Sequence, residues 1–291
     1  TDYITNSTVT RLPKAAVYQN IISDLENAIT LLPEQYLQPT RTRACKKVAQ
    51  ALLSRVYLYN GDNAEAADMA SAVINDDADF IWEADLDKVF LKESTATIWQ
   101  LESGTSGGNT YEGSTFIFLA GPPNTIALSD NFISQFEAGD LRRTHWVKEV
   151  TDGVSTWYHP YKYKQDVASG SSMEYSVILR LAEQYLIRAE ARARQGELVS
   201  SKDDIDKIRI NAGLPQTIAT TQGELLDAIL QERRSELFTE HGHRFFDLKR
   251  FGKLDEVLSS KIGWNQTDQL WPLPQSELRA NPFLSPQNPG Y

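Results

Sequence analysis

Residues 52–74 read LLSRVYLYNGDNAEAADMASAVI, two helical patterns joined at Asn60-Gly61-Asp62. Ahead of the glycine, Cys45, Val48, Ala49, Leu52, Val56 and Tyr59 recur at helical spacing on one apolar side. Gly61 fits the left-handed position that ends a helix, and Asp62 is suited to cap the next one. Beyond it, Ala66, Ala67, Ala70, Val73 and Ile74 make a narrow seam of small residues, which lets two helices approach closely. The segment is therefore a helix–turn–helix hairpin. A single hairpin cannot bury both of its faces, so the rest of the chain must supply partners.

Upstream, Val17, Ile21, Leu25, Ala28 and Leu32 keep the helical period, with Pro13 suited to the first turn and Pro33 to the stop. Downstream, YSVILRLAEQYLIRAEARARQG (175–196) reads as one long amphipathic helix ended by Gly196. Residues 201–212 form its shorter partner, stopped by Gly213 and Pro215. Thr221 and Glu224 form a capping box for the next helix. RFFDLKRFGKLDEVL (244–258) reads as a short helix, and the last 20 residues, with five prolines, as an extended tail. Leu53, Tyr57, Gly61, Ala66 and Ala70 fall at template positions of a tetratricopeptide-type hairpin.

Residues 80–175 differ in character. TIWQLE (97–102) and TFIFLA (115–120) read as short strands around a flexible Gly104–Gly113 loop. Ser129 caps a short helix that Gly139 closes, and THWVKEV, TDGV and STWYHPYKYK form a hairpin turning at Asp152-Gly153. The expected organisation is helices over 1–79, an irregular aromatic-rich insertion over 80–175, and helices with a tail over 176–291, all in one compact unit. The expected class is mainly α: tetratricopeptide-like hairpins carrying an insertion with short β-strands.

The composition bounds the function. Of 291 residues, 41% are hydrophobic and 23% charged, an ordinary globular balance. Lys plus Arg number 29 against 39 Asp plus Glu, a net charge of −10 that repels nucleic acid and anionic lipid. One cysteine, Cys45, excludes an internal disulfide framework and reads as a small buried hydrophobe. No apolar run approaches the about 18 residues that span a bilayer as a helix.

The C-terminal half carries a pattern. RLAEQYLIRAEARARQGE (180–197), IDKIRINAGLP (205–215), ILQERRSELFTEHGHRFFDLKRFGK (229–253), LWPLPQSEL (270–278) and NPFLSPQNPGY (281–291) together resemble the SusD/RagB family. VYQNIISDLENAITLLP (17–33) and VAQALLSRVYLYNGD (48–62) are similar to that family's tetratricopeptide region. The pattern departs at Asn211, where the family usually carries Arg before Ala-Gly-Leu. The resemblance implies a surface-exposed lipoprotein of the outer membrane that binds a glycan or other nutrient without cutting it. It also implies delivery of the ligand to a SusC-type TonB-dependent transporter. The signal peptide and lipid-anchor Cys that the resemblance implies are not part of this sequence, which opens at Thr1. The alternatives weighed are a helical-toroid glycoside hydrolase and a tetratricopeptide adaptor that binds peptides.

Candidate ligand contacts follow from chemistry. Sugar rings have apolar C–H faces and polar edges, so flat aromatics beside amides and hydroxyls suit them. Trp82, Asn109, Tyr111, Trp146, Trp157 and Tyr158 are the candidates, against the plainer reading that half the rings cover the inner face of the hairpin. Trp99 and Trp271 are assigned to the core. Arg142-Arg143-Thr144-His145 is a possible basic patch for an acidic ligand, or else a solvated face.

Glu232, Glu236 and Glu240 share one helical stripe and need cations from elsewhere, for which Arg244 and Arg250 are the natural partners beside Asp247. This cluster is expected to be structural. His241 and His243 lack a third ligand at a recognised spacing, so no metal is expected. No catalytic motif or cofactor fingerprint is present, so neither catalysis nor a cofactor is expected.

Overall fold

The computed structural model describes residues 2–76, 78–124 and 126–291. Its helices begin with α1 (Tyr3–Asn6), α2 (Lys14–Leu31), α3 (Lys46–Asn60) and α4 (Asn63–Ile74). Strand β1 (Thr97–Leu101) leads to α5 (Tyr111–Phe116), α6 (Asp130–Ile133) and α7 (Leu141–His145). Strands β2 (Val147–Thr151), β3 (Thr156–Pro160) and β4 (Ser176–Arg180) follow. The chain ends with α8 (Leu181–Gln195), α9 (Leu198–Asn211), α10 (Gln222–Glu236), α11 (His243–Arg250), α12 (Leu254–Leu258) and α13 (Gln275–Ala280). The class is mainly α, as the periodicity predicts.

The chain separates into two units, Ile22–His241 and Thr1–Ile21 with Gly242–Tyr291. The insertion joins the helical core through Phe80, Ala96 and Ile98, which pack with Leu53, Ala66, Ala70 and Ile187, and it builds a second cluster from Leu86, Val89, Phe90, Trp146, Val147 and Tyr163 with Val177 and Phe238.

In the larger unit, α3 and α4 form the expected hairpin. Gly61 has φ 97°, and the N–H groups of Gly61 and Asp62 both donate to the Tyr57 carbonyl. Asp62 holds the N-cap position, but its carboxylate accepts from Asn60 Nδ2 (2.7 Å) rather than from the helix. Cys45 is buried and free, at the N-cap of α3 rather than on its face.

A second hairpin, α8–α9, supplies the partner that the first one needs, and α4 packs along α8. Gly196 (φ 84°) turns it as Gly61 turns the first. With those glycines aligned, Ser201 and Ile205 take the buried places of Ala66 and Ala70, while Arg188, buried, and Arg192, partly exposed, stand where Leu53 and Tyr57 do. Asp204 binds both arginines, Arg188 at 2.6 Å and Arg192 at 2.8 Å. Helix α10 closes the stack through Ala189, Ala193, Ile205, Leu225 and Ile229, and its capping box is formed as predicted.

Two expectations fail locally. Residues 176–180 are strand β4, antiparallel to β1 with Leu101 opposite Ser176 and Thr97 opposite Arg180, so the helix begins only at Leu181. The run Val177-Ile178-Leu179 is apolar on every residue, which suits a buried strand as well as a helix. Residues 115–120 are not a strand. Thr110 Oγ1 accepts from Gly113 N (3.0 Å) and starts α5, whose last two residues are Thr115 and Phe116. The β2–β3 hairpin forms as expected, with Asp152 Oδ1 accepting from Val154 and Ser155 N at its turn.

In the smaller unit, Gly252 (φ 68°) separates α11 from α12, and the proline-rich end carries α13 rather than a purely extended tail. Asn281 Nδ2 donates to Val9 O (2.8 Å), and Arg11 Nη2 to Asn288 Oδ1 (2.6 Å). Trp271 is 73% exposed, so its assignment to the core was wrong; among neighbouring prolines its ring meets Phe245 only edge-on. Trp99 lies half-buried against the core of the larger unit.

Candidate functional site

Five of the six candidate contacts are engaged inside the protein. Trp146 is 1% exposed; its Nε1 donates to Leu86 O (2.9 Å) and its ring abuts Phe90. The turn from α7 into β2 points it into the core, so it offers no surface to a ligand. Trp82 meets Tyr185 edge-on at 5.4 Å, with the Lys207 ammonium over its ring. Tyr158 is half-buried beneath the Arg143 guanidinium, 4.9 Å from its centroid. Trp157 is half-buried, and the backbone of Gly121 lies on its ring. A Cβ at residue 121 would come within 2.1 Å of that ring, so only glycine fits there.

Asn109 is fully spent. Its Nδ2 donates to Val167 O (2.9 Å) and Ser169 Oγ (3.0 Å), and its Oδ1 accepts from Met173 N (2.8 Å) and Glu174 N (3.2 Å). It is a clamp between two loops rather than a ligand contact. Tyr111 is different. As the first residue of α5 it is 81% exposed, and its ring stands open to solvent.

Tyr111 borders an open depression of about 290 Å³, lined also by Ser103, Thr105, Gln165 and Asp166. Its walls are tied from behind. The Glu174 carboxylate accepts from Lys164 N (2.6 Å) and Gln165 N (3.2 Å), and burial raises its pKa although those bonds and Lys164 oppose the shift. Gly113 lies so close to Gln165 O that a Cβ would meet it at 2.1 Å. The backbone is therefore fixed while the side chains of Thr105, Gln165 and Asp166 keep their hydrogen-bonding capacity. A flat ring beside unspent polar groups on a fixed frame is suited to an amphipathic, hydroxyl-rich ligand. Tyr111 was legible in the sequence as an aromatic in a Gly-rich loop. Gln165 and Asp166 were not, because they come from a distant segment with no motif.

The acidic stripe on α10 and beyond is structural, but its cations come from other segments than expected. Arg142 Nη1 binds Glu232 (2.6 Å) and Glu236 (2.9 Å), while its Nε and Nη2 hold Asp140. Arg180 bridges Glu236 (2.6 Å) and Glu240 (2.8 Å), Lys162 also pairs with Glu240, and Arg209 reaches Glu232 (3.2 Å). Arg142 and Arg180 replace Arg244 and Arg250 as the assigned partners, and Arg250 binds Asp247 (2.9 Å) within the smaller unit. The reason is depth: the stripe faces β4 and α7, whose buried arginines need counter-charges.

Burial opposes charge on Glu240, yet Arg180 and Lys162 hold its carboxyl well below the usual range. Burial pulls Lys162 down to about 8 although Glu240 opposes the shift. The supposed basic patch dissolves as well, since Arg142 is in this network, Arg143 covers Tyr158 and His145 Nδ1 meets Asp87 (2.9 Å). His241 Nε2 lies 2.9 Å from Val177 O. Among the described residues no group of three His, Cys, Asp or Glu is placed to hold a metal ion.

A model described as the SusD family matches residues 44–291. A second, described as starch-binding associating with outer membrane, matches residues 2–58. SusD-like protein P2 of Formosa agariphila is 30% identical, across 97% of this chain and 66% of that protein. The starch-binding protein SusD of Bacteroides thetaiotaomicron is 32% identical, across 51% of this chain and 28% of its own length. The chain thus spans less than two thirds of either relative.

Among solved structures, a SusD superfamily protein from Bacteroides vulgatus superposes with a TM-score of 0.83 at 20% identity, over 98% of this chain and 71% of that one. A laminarin-binding SusD-like protein gives 0.81 at 24% identity, over 98% and 71%. These two likenesses concern the fold.

Proposed function

The chain belongs to the SusD family, and from that premise we propose that it captures glycan at the outer membrane without breaking it. The observation that carries this reading is the open Tyr111 ring at the rim of a polar depression with a fixed backbone. The ring takes the C–H face of a sugar, and Thr105 and Gln165 take its hydroxyls. Captured ligand then passes to a SusC-type TonB-dependent transporter. One shallow platform binds weakly, and repeated engagement along a polymer offsets that weakness. The starch- and laminarin-binding descriptions of two similar proteins support a glucan as the first ligand to try.

The test is calorimetric titration with maltohexaose and laminarihexaose, for the parent and for Tyr111→Ala. Loss of the ring is expected to weaken binding about tenfold, or ~1.4 kcal/mol, without changing the melting temperature. The reading fails if Tyr111→Ala binds like the parent. It fails equally if the parent steadily releases reducing ends from polymer, as a hydrolase would.

A further inference from the structure

We propose, building on the glycan-binding reading above, that the Tyr111 depression selects neutral sugars with adjacent free hydroxyls and rejects uronate and sulfated sugars. In this arrangement Asp166 accepts from two hydroxyls at once. Ser103, Thr105, Asn109, Tyr111, Gln165 and Asp166 supply polar groups to the lining of the site, and among the described residues that line it there is no Lys or Arg. A ligand carboxylate or sulfate placed there finds no cation, and it meets the Asp166 charge.

The nearest basic residues in sequence are committed elsewhere. Lys164 Nζ pairs with Asp87 (2.8 Å) and donates to His145 O (3.0 Å). Lys162 Nζ donates to Glu236 O (2.7 Å) and Phe238 O (2.9 Å) beside Glu240. The flanking acids add to the negative field: Glu102, next to Ser103, accepts from Tyr175 Oη (2.8 Å), and Glu112, next to Tyr111, accepts from Ser176 Oγ (2.7 Å).

The attractive half of the selectivity is Asp166 itself. A carboxylate offers two acceptor oxygens side by side and no donor, which matches a pair of neighbouring hydroxyls on one sugar ring. Among the described residues its carboxylate has no hydrogen-bond partner within the protein, so binding breaks nothing. Gln165 stands beside it with a free amide, able to donate to the ring oxygen or accept from a third hydroxyl. The frame behind both is fixed by Asn109 and Glu174, so little ordering is left for the ligand to drive.

The experiment titrates parent, Asp166→Asn and Gln165→Ala with laminarihexaose and with a hexameric uronate of similar length, at fixed salt. The parent is expected to bind the neutral hexaose and to show no measurable binding of the uronate. Asp166→Asn keeps the shape and removes the charge. It should weaken the neutral hexaose about tenfold, the size of a lost charge-assisted bond, and bring uronate binding into range. Gln165→Ala should weaken the neutral hexaose several-fold and leave uronate rejection intact. A parent that binds the uronate as well as or better than the neutral sugar overturns the inference and leaves glycan capture standing. So does an Asp166→Asn variant with unchanged affinity for the neutral sugar and unchanged melting temperature. A parent that binds neither sugar overturns the glycan reading, and this inference with it.

Discussion

The stripe Glu232–Glu236–Glu240 and the Tyr111 depression are both acidic, yet they use their polar groups in opposite ways. On the stripe, each carboxylate has an arginine or lysine on it and lies almost sealed from water. In the depression, the Asn109 side chain bonds the backbone at Val167 and Met173 and so joins two loops, while Gln165, Asp166 and Tyr111 remain unspent. A charged cluster that has consumed its own capacity is a joint. A polar surface that has been braced and left unconsumed is a place for something else. The difference is invisible in composition, because both regions are rich in Asp, Glu, Asn and Gln.

The comparison is easiest to break at Arg142. Arg142→Ala strands Asp140, Glu232 and Glu236 without their shared cation, so it should cost about 3–5 kcal/mol, read by denaturant unfolding. At temperatures where the variant stays folded its glycan affinity should match the parent. A stability loss under 1 kcal/mol would mean the stripe is not a joint.

Asn109→Ala acts on the other side of the contrast. It leaves the Met173 and Glu174 amides and the Val167 carbonyl without their partner, a loss of about 1–3 kcal/mol. Hydrogen exchange should quicken at Met173 and Glu174, and sugar affinity should fall although Asn109 touches no ligand. Unchanged exchange at those two amides would show that the clamp is not what fixes the loops.

The smallest effect belongs to α10, away from both regions. Thr221→Ala should cost about 1 kcal/mol, as N-cap losses do, with binding unaltered. The capping box also has a pH signature. The bonds from the Thr220 and Thr221 amides lower Glu224 from 4.5 to about 2. A depressed carboxyl stabilises fully above its unfolded value and loses that effect as pH falls through the folded one. Glu224→Gln removes the charge that those amides bind, so its stability gap to the parent should be constant above pH 4.5 and close toward pH 2.

Much of the fold was legible because the first hairpin obeys the simple rules: small residues at Ala66 and Ala70, and Gly61 at the turn. The second hairpin hides from the same template, since Arg188 and Arg192 stand where Leu53 and Tyr57 do, and only Asp204 makes that tolerable. A contact across 12 residues cannot be read from periodicity alone. The β4 strand was misread because an all-apolar run has no period to distinguish it.

The site was legible in part. Chemistry points to aromatics in the insertion, and Tyr111 is the candidate whose ring the fold leaves open to solvent. Trp146 and Trp157 are not left open, because whether an indole faces water depends on neighbours such as Leu86 and Gly121 that arrive from other segments. The cations of the acidic stripe were misassigned for the same reason. Proximity in sequence favoured Arg244 and Arg250, whereas the fold brings in Arg142 and Arg180.

The short β1–β4 ladder sets Leu101 beside Ser176. Between those two residues the chain is anchored again at Arg142, on Glu232 and Glu236, and at Lys162, on Glu240, so only the stretches between these anchors are free in length. Closing a longer excursion between such anchors adds only about 0.6 kcal/mol of entropy for each doubling of its length. The loop at 103–108, whose middle is exposed and which lies between such anchors, can thereby be lengthened at small thermodynamic expense.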